Sequence, residues 1–169
     1  MIRLTLDDLL NHGRVGPLAL GDPKSKIDAI EGLAAGLQGA YPAKDGTPLA
    51  AYYRFGDFEI HFGSWKAGDE LEIDLFVLQL GHLKEGWDVD GDGVFDIECL
   101  GIRTGQDVNL VLSSLKDFSI CRSSRRAPPE MQAYDIGRFG TALFIEEDDT
   151  TTWFTQFEVY DHMRRVEGA

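Results

Sequence analysis

The sequence predicts an α+β protein of two tandem helix-then-antiparallel-sheet units, offset by about 81 residues and merged into one compact body with helices on one sheet face. Three observations lead there. Displacing the chain by 81 residues lays Tyr53, Gly56 and Phe58 on Tyr134, Gly137 and Phe139, and Ile73, Phe76 and Leu78 on Phe154, Phe157 and Val159, with no gap required. In each unit, apolar residues at helical spacing precede two segments of alternating apolar and polar residues, an order that favours an antiparallel sheet covered by helices. The 169 residues, 43% of them hydrophobic, are also enough to fill one ordinary core.

The first unit spans 1–81 and opens with a short helix that Thr5, with Asp8 three residues on, caps and Gly13 stops. Asp22-Pro23 then supplies an N-cap with proline at the first helical position. Ile27, Ile30, Leu33, Ala34 and Leu37 predict an amphipathic helix of about four turns after it. A polar loop, 39–48, leads to strands in which Tyr53, Phe55, Phe58, Ile60 and Phe62 alternate with Arg54, Glu59 and His61. The phase shift at Gly56-Asp57 marks a turn or bulge. The strand 70–80 closes the unit, with Leu71, Ile73, Leu75 and Val77 on one face.

An acidic linker, 82–99, precedes the second unit, 100–169. There Thr104 with Asp107 resembles a capping box, and Val108, Val111, Leu112 and Leu115 form the buried stripe of the equivalent helix. After a loop at 121–129, the segments 134–145 and 152–160 form the matching strand pair, joined by the acidic turn Glu146-Glu147-Asp148-Asp149. The sheet face away from the helices is left for solvent or a partner.

Charge narrows the class of partner. Sixteen Lys and Arg against 29 Asp and Glu give a net charge of −13, which excludes a phosphate-backbone or anionic-membrane binder and favours basic proteins or metal cations. Residues 85–98 alone hold six acids and no base. The N-terminus meets Asp7 and Asp8 before any signal-like apolar run, and no stretch approaches the roughly 20 apolar residues of a membrane span. Cys99 and Cys121 form neither a disulfide framework nor a CxxC pair, so the expected setting is a reducing cytoplasm, with both thiols in or near the core.

The tandem units, with their Tyr-x-x-Gly-x-Phe strand entries at Tyr53 and Tyr134, resemble the β-lactamase-inhibitor-protein-like fold, single units of which occur in small outer-membrane assembly lipoproteins. Gly16-Pro17-Leu18-Ala19-Leu20-Gly21 together with residues 53–62 is similar to small bacterial toxin-immunity proteins. The resemblance covers residues 14–160 and implies a protein that occupies another protein's surface with its open sheet face and loops. The disulfides of the secreted inhibitors and the lipidation cysteine of the lipoproteins are both missing, so the implied target is cytoplasmic.

The sharpest local motif is Asp88-Val89-Asp90-Gly91-Asp92-Gly93-Val94-Phe95-Asp96. Asp88, Asp90, Asp92 and Asp96, with the Val94 carbonyl, reproduce most of a calcium loop. Position 12 is Cys99 rather than Glu, and the following residues read as a strand, so calcium competes with a plain Asp/Gly turn. An acidic nucleic-acid mimic is a further alternative.

No nucleophile–base arrangement or phosphate loop is legible, and His61 with Glu59 on one strand face is the one conceivable acid–base or metal pair. The expectation is a non-enzymatic immunity or inhibitor protein that neutralises a basic toxin or enzyme. Asp57, Glu59, Glu146, Glu147, Asp148 and Asp149 would steer and pair; Trp65, Trp153 and Tyr160 would anchor.

Overall fold

A computed structural model of the chain describes residues 1–33, 37–42, 48–64, 69–124, 130–148 and 151–161, with 37–42, 48–50 and 148 described at the backbone level. The helices are α1 (Leu6–His12), α2 (Lys24–Asp28) and α3 (Val108–Ser114). The strands are β1 (Ile2–Leu4), β2 (Arg14–Val15), β3 (Leu18–Ala19), β4 (Leu37–Pro42), β5 (Pro48–Phe55), β6 (Phe58–Gly63), β7 (Glu72–Leu78), β8 (Phe95–Ile97), β9 (Ile120–Arg122), β10 (Met131–Ile136), β11 (Gly140–Asp148) and β12 (Thr151–Val159). The fold is α+β and dominated by sheet. Among the described residues no helix is long and apolar enough to cross a membrane.

Eight strands form one antiparallel sheet in the order β4-β5-β6-β7-β12-β11-β10-β9. Its two four-stranded halves meet where Phe76, Val77 and Leu78 face Val159, Glu158 and Phe157. Val77 thus lies opposite the residue 81 positions later in the chain, so the join is related to itself by a local two-fold axis. Each half carries a bulge at the corresponding place, between His61 and Phe62 in one and between Leu143 and Phe144 in the other. The aromatic pairs beside the bulges also correspond: Tyr53 meets Phe62 edge-on at 5.3 Å, and Tyr134 meets Phe144 edge-on at 5.6 Å.

The offset of 81 does not hold without gaps, as the sequence comparison required. The β5–β6 turn is two residues, Gly56-Asp57, because Phe55 pairs with Phe58; the β10–β11 turn is three, since Ile136 pairs with Gly140. The bulge correspondence is therefore 82 along β6 and β11. At the helices it is 84: the Gly21 amide reaches Ile73 O at 2.8 Å just before α2, and the Gly105 amide reaches Phe154 O at 2.7 Å just before α3. Turns absorb such differences cheaply, whereas strands keep register because one slip turns every side chain to the other face.

Other expectations change in detail. The leading helix is as read: the Asp8 amide donates to Thr5 Oγ1 at 3.1 Å, and Gly13 closes it at φ 60°. The four-turn helix is not found, because α2 ends at Asp28 and continues as tight turns, with Ile30 N bonding Ile27 O and Leu33 N bonding Ile30 O. Gly32 at φ 87° ends the run, and Ala34 lies outside the described residues. Pro23 is the N-cap and offers no side chain, while the Asp22 carboxylate accepts the Ala19 amide at 2.7 Å. In the second unit the cap is Asp107, whose side chain accepts the Asn109 amide at 2.9 Å; Thr104 Oγ1 instead accepts from Leu80 N and donates to Thr155 O.

The inner sheet face is built by Tyr53, Phe55, Phe58, Ile60 and Phe62, all at most 2% exposed, as the alternation required. In β7 the bulge changes the phase, so Ile73 is followed into the core by Phe76 and Leu78, and Leu75 is only half-buried. Leu9 and Leu10 of α1, Ile27 of α2 and Val111 of α3 join the same continuous core. Glu146, Glu147 and Asp148 are strand residues of β11 rather than a turn. The opposite face is not uniformly open either: Val77, Ala133, Thr141 and Leu143 are buried there. Cys121 is exposed in β9, not packed in the core, and Cys99 is half-buried.

Both turn glycines allow a close backbone approach. A Cβ on Gly56, at φ 59°, would stand 2.5 Å from Asp90 O, and one on Gly137, at φ 64°, 2.8 Å from Leu10 O. One hairpin thus docks on the acidic segment and the other on the end of α1, where the Arg138 and Phe139 amides both bond Leu10 O.

Candidate partner-binding surface

The segment that follows β7 is not a free linker. Its β8 pairs in parallel with β1, and the Val94 carbonyl accepts the Ile2 amide at 2.8 Å. Asp57 Oδ2 accepts the amides of Gly81 and Asp90, each at 2.9 Å. Asp90 Oδ1 in turn accepts the Asp92 amide at 2.7 Å, and Asp88 pairs with Arg103 Nη2 at 3.3 Å. Asp90 is thus turned towards the backbone and Asp88 towards an arginine. Among the described residues no group of three or more His, Cys, Asp or Glu side chains stands close enough to hold a metal.

The same segment then turns back on itself. His82 and Trp87 bond each other through their backbones, and Leu83 N reaches Thr104 O at 2.9 Å. This leaves Leu83 and Trp87 exposed, Trp87 by 65%. Beside them lies the free end of the β11–β12 hairpin, where Ile145 pairs with Trp153 and is itself 44% exposed. Two clefts share His82 as a wall. One, of about 190 Å³, is lined by His82, Leu83, Trp87, Asp88 and Arg103. The other, of about 180 Å³, is lined by His82, Lys84, Ile145, Trp153 and Thr155. Each admits a side chain and is too small for a nucleotide-sized cofactor. His82 Nδ1 is shut off from solvent and has no hydrogen-bond partner among the described residues, a state few buried ring nitrogens are left in.

The two acidic segments meet here. Lys84 Nζ lies 3.7 Å from Glu147 Oε2 and 4.6 Å from the centre of the Trp153 ring, and the Trp153 indole N–H donates to Glu147. Glu146 accepts from Gln132.

The remaining expected residues fall elsewhere. Asp57 is a structural acceptor rather than a free steering charge. Glu59 stands in β6 with His61 Nε2 at 2.8 Å and Arg54 Nε at 3.8 Å. The His61 hydrogen bond holds the Glu59 carboxyl below its usual range, against the opposing effect of burial. The His61 ring stacks on Tyr52 at 5.3 Å, so the pair is engaged within the sheet surface. Tyr160 is buried, 5% exposed, with Thr141 Oγ1 donating to its hydroxyl at 3.4 Å, so it presents no anchor at the surface. Trp65, Asp149 and the Asp148 side chain lie outside the described residues.

Trp87 belongs to the tryptophans and tyrosines that the sequence offers for recognition, whereas His82, Leu83, Lys84, Arg103 and Ile145 were not among the expected site residues. The available signal was an exposed-type tryptophan inside a charged, glycine-flanked segment, 81–87, where solvation alone has no use for Leu83 and Trp87. Comparison with known protein families, with characterised proteins and with solved structures finds no match for this chain.

Proposed function

We propose that the chain is a non-enzymatic protein-binding protein of the immunity or inhibitor type, which neutralises a basic toxin or enzyme in the cytoplasm. The observation that carries this reading is the meeting of the two acidic segments, through Lys84 and Glu147, around the tryptophans Trp87 and Trp153. Apolar and aromatic anchors at the centre with charge at the rim is the anatomy of a binding hot spot. The carboxylates of Glu85, Asp88, Asp92, Glu146 and Glu147 favour a basic partner and speed its encounter.

Two halves of one sheet with corresponding joins and bulges support descent from a duplicated unit, and with it the resemblance to the β-lactamase-inhibitor-protein-like fold. The test is capture from the native host at low salt: a basic protein retained by the wild type and lost by a Trp87→Ala, Trp153→Ala double variant is expected. Retention of no protein overturns the reading.

A further inference from the structure

Glu147 is the extra residue of a bulge, between the Glu146–Thr152 and Asp148–Thr151 pairs, and the bulge re-aims it to accept from the Trp153 indole. An aromatic face with a carboxylate fixed at its edge is a seat for a cation, and the chain itself shows one in place: the Lys84 ammonium, 4.6 Å from the ring centre. The hold on Lys84 is weak, because its side chain and that of Glu147 are each 57% exposed and 3.7 Å apart. A side-chain-sized cleft opens directly beside the seat, walled by Ile145, His82 and Thr155.

We propose that the Trp153–Glu147 seat receives an arginine side chain of the basic partner, and that Lys84 occupies it until the partner displaces it. Arginine fits better than lysine: its planar guanidinium stacks on the indole while its fork pairs with the Glu147 carboxylate, and it is less strongly hydrated than the ammonium it replaces. The inference rests on the basic-partner reading above and adds the chemistry of one contact.

The experiment is calorimetric titration of the full chain with capped tri-arginine and capped tri-lysine peptides at low ionic strength. Lys84→Met is compared with Lys116→Met, which removes the same charge from an exposed lysine beyond α3. Lys84→Met is expected to bind tri-arginine about two- to fivefold tighter than Lys116→Met does. Trp153→Leu is expected to cancel that gain, and tri-arginine to bind better than tri-lysine. Glu147→Gln, at an exposed position, serves if Trp153→Leu does not fold, and is expected to cancel the gain as well. Equal binding by Lys84→Met and Lys116→Met, or a gain that survives loss of Trp153 or Glu147, overturns the seat and leaves the basic-partner reading standing. Absence of binding by every variant and by the wild type removes both.

Discussion

Asp57 and Asp90 are locked to each other by two reciprocal bonds: the Asp57 amide donates to the Asp90 carbonyl at 2.8 Å, and the Asp90 amide donates to Asp57 Oδ2 at 2.9 Å. The pair fastens the β5–β6 turn to the acidic segment and so fixes the start of the Trp87 surface. A bond from an amide to a carboxylate contributes roughly 1.5–3 kcal/mol net, and here two amides share one oxygen. Asp57→Ala is therefore expected to lower unfolding stability by about 2–3 kcal/mol in urea titration, and Asp57→Asn, which keeps a neutral acceptor, by about 1 kcal/mol. Equal loss in both variants would count against the role given to this carboxylate.

Tyr53 ties α2 to the sheet. Lys24 Nζ lies 2.6 Å from its hydroxyl, which donates to Asp28 Oδ1 at 2.7 Å. Burial opposes the Lys24 charge, but the hydrogen bonds to Tyr53 and Asp28 outweigh it and hold the ammonium above its usual 10.5. Burial raises Tyr53 above its usual 10.0. Both folded values lie above the unfolded ones, so their contribution is complete below about pH 10 and fades as pH rises through the folded values. Tyr53→Phe is expected to cost about 1–2 kcal/mol at neutral pH and to flatten the alkaline fall in melting temperature. An unchanged alkaline limb would contradict this assignment.

The Glu59–His61 pair acts at the other end of the scale. Glu59 is held below its usual 4.5 by the His61 hydrogen bond, so its contribution is present above that value and is lost as pH falls through the lower folded one. In His61→Ala the Glu59 carboxyl, followed by carbon-detected NMR titration, is expected to titrate at higher pH than in the wild type. No movement would mean that the 2.8 Å contact does not persist in solution.

Millimolar calcium is expected to leave the melting temperature unchanged and to give no binding heat, because Asp90 Oδ1 and the Val94 carbonyl already accept backbone amides and Asp88 is paired with Arg103. A saturable rise in melting temperature would restore the metal reading. It would also require the Asp88–Arg103 pair to open.

The sequence by itself determined the α+β class of fold, the inner face of β5 and β6 and the capped helix α1, since those depend on local periodicity and on glycine at positive φ. Tyr53, Phe55, Phe58, Ile60 and Phe62 lie where alternation put them. Only the tertiary structure decided that the offset is 81 at one pair of strands, 82 at another and 84 at the helices, because turns hold the insertions and periodicity does not see them. Only the tertiary structure, too, buried Tyr160, spent Asp57 on two amides and joined Lys84 to Glu147, 63 residues further along the chain. A carboxylate's residue type fixes its charge; whether that charge meets a backbone amide, a histidine or open solvent depends on which distant segment packs beside it.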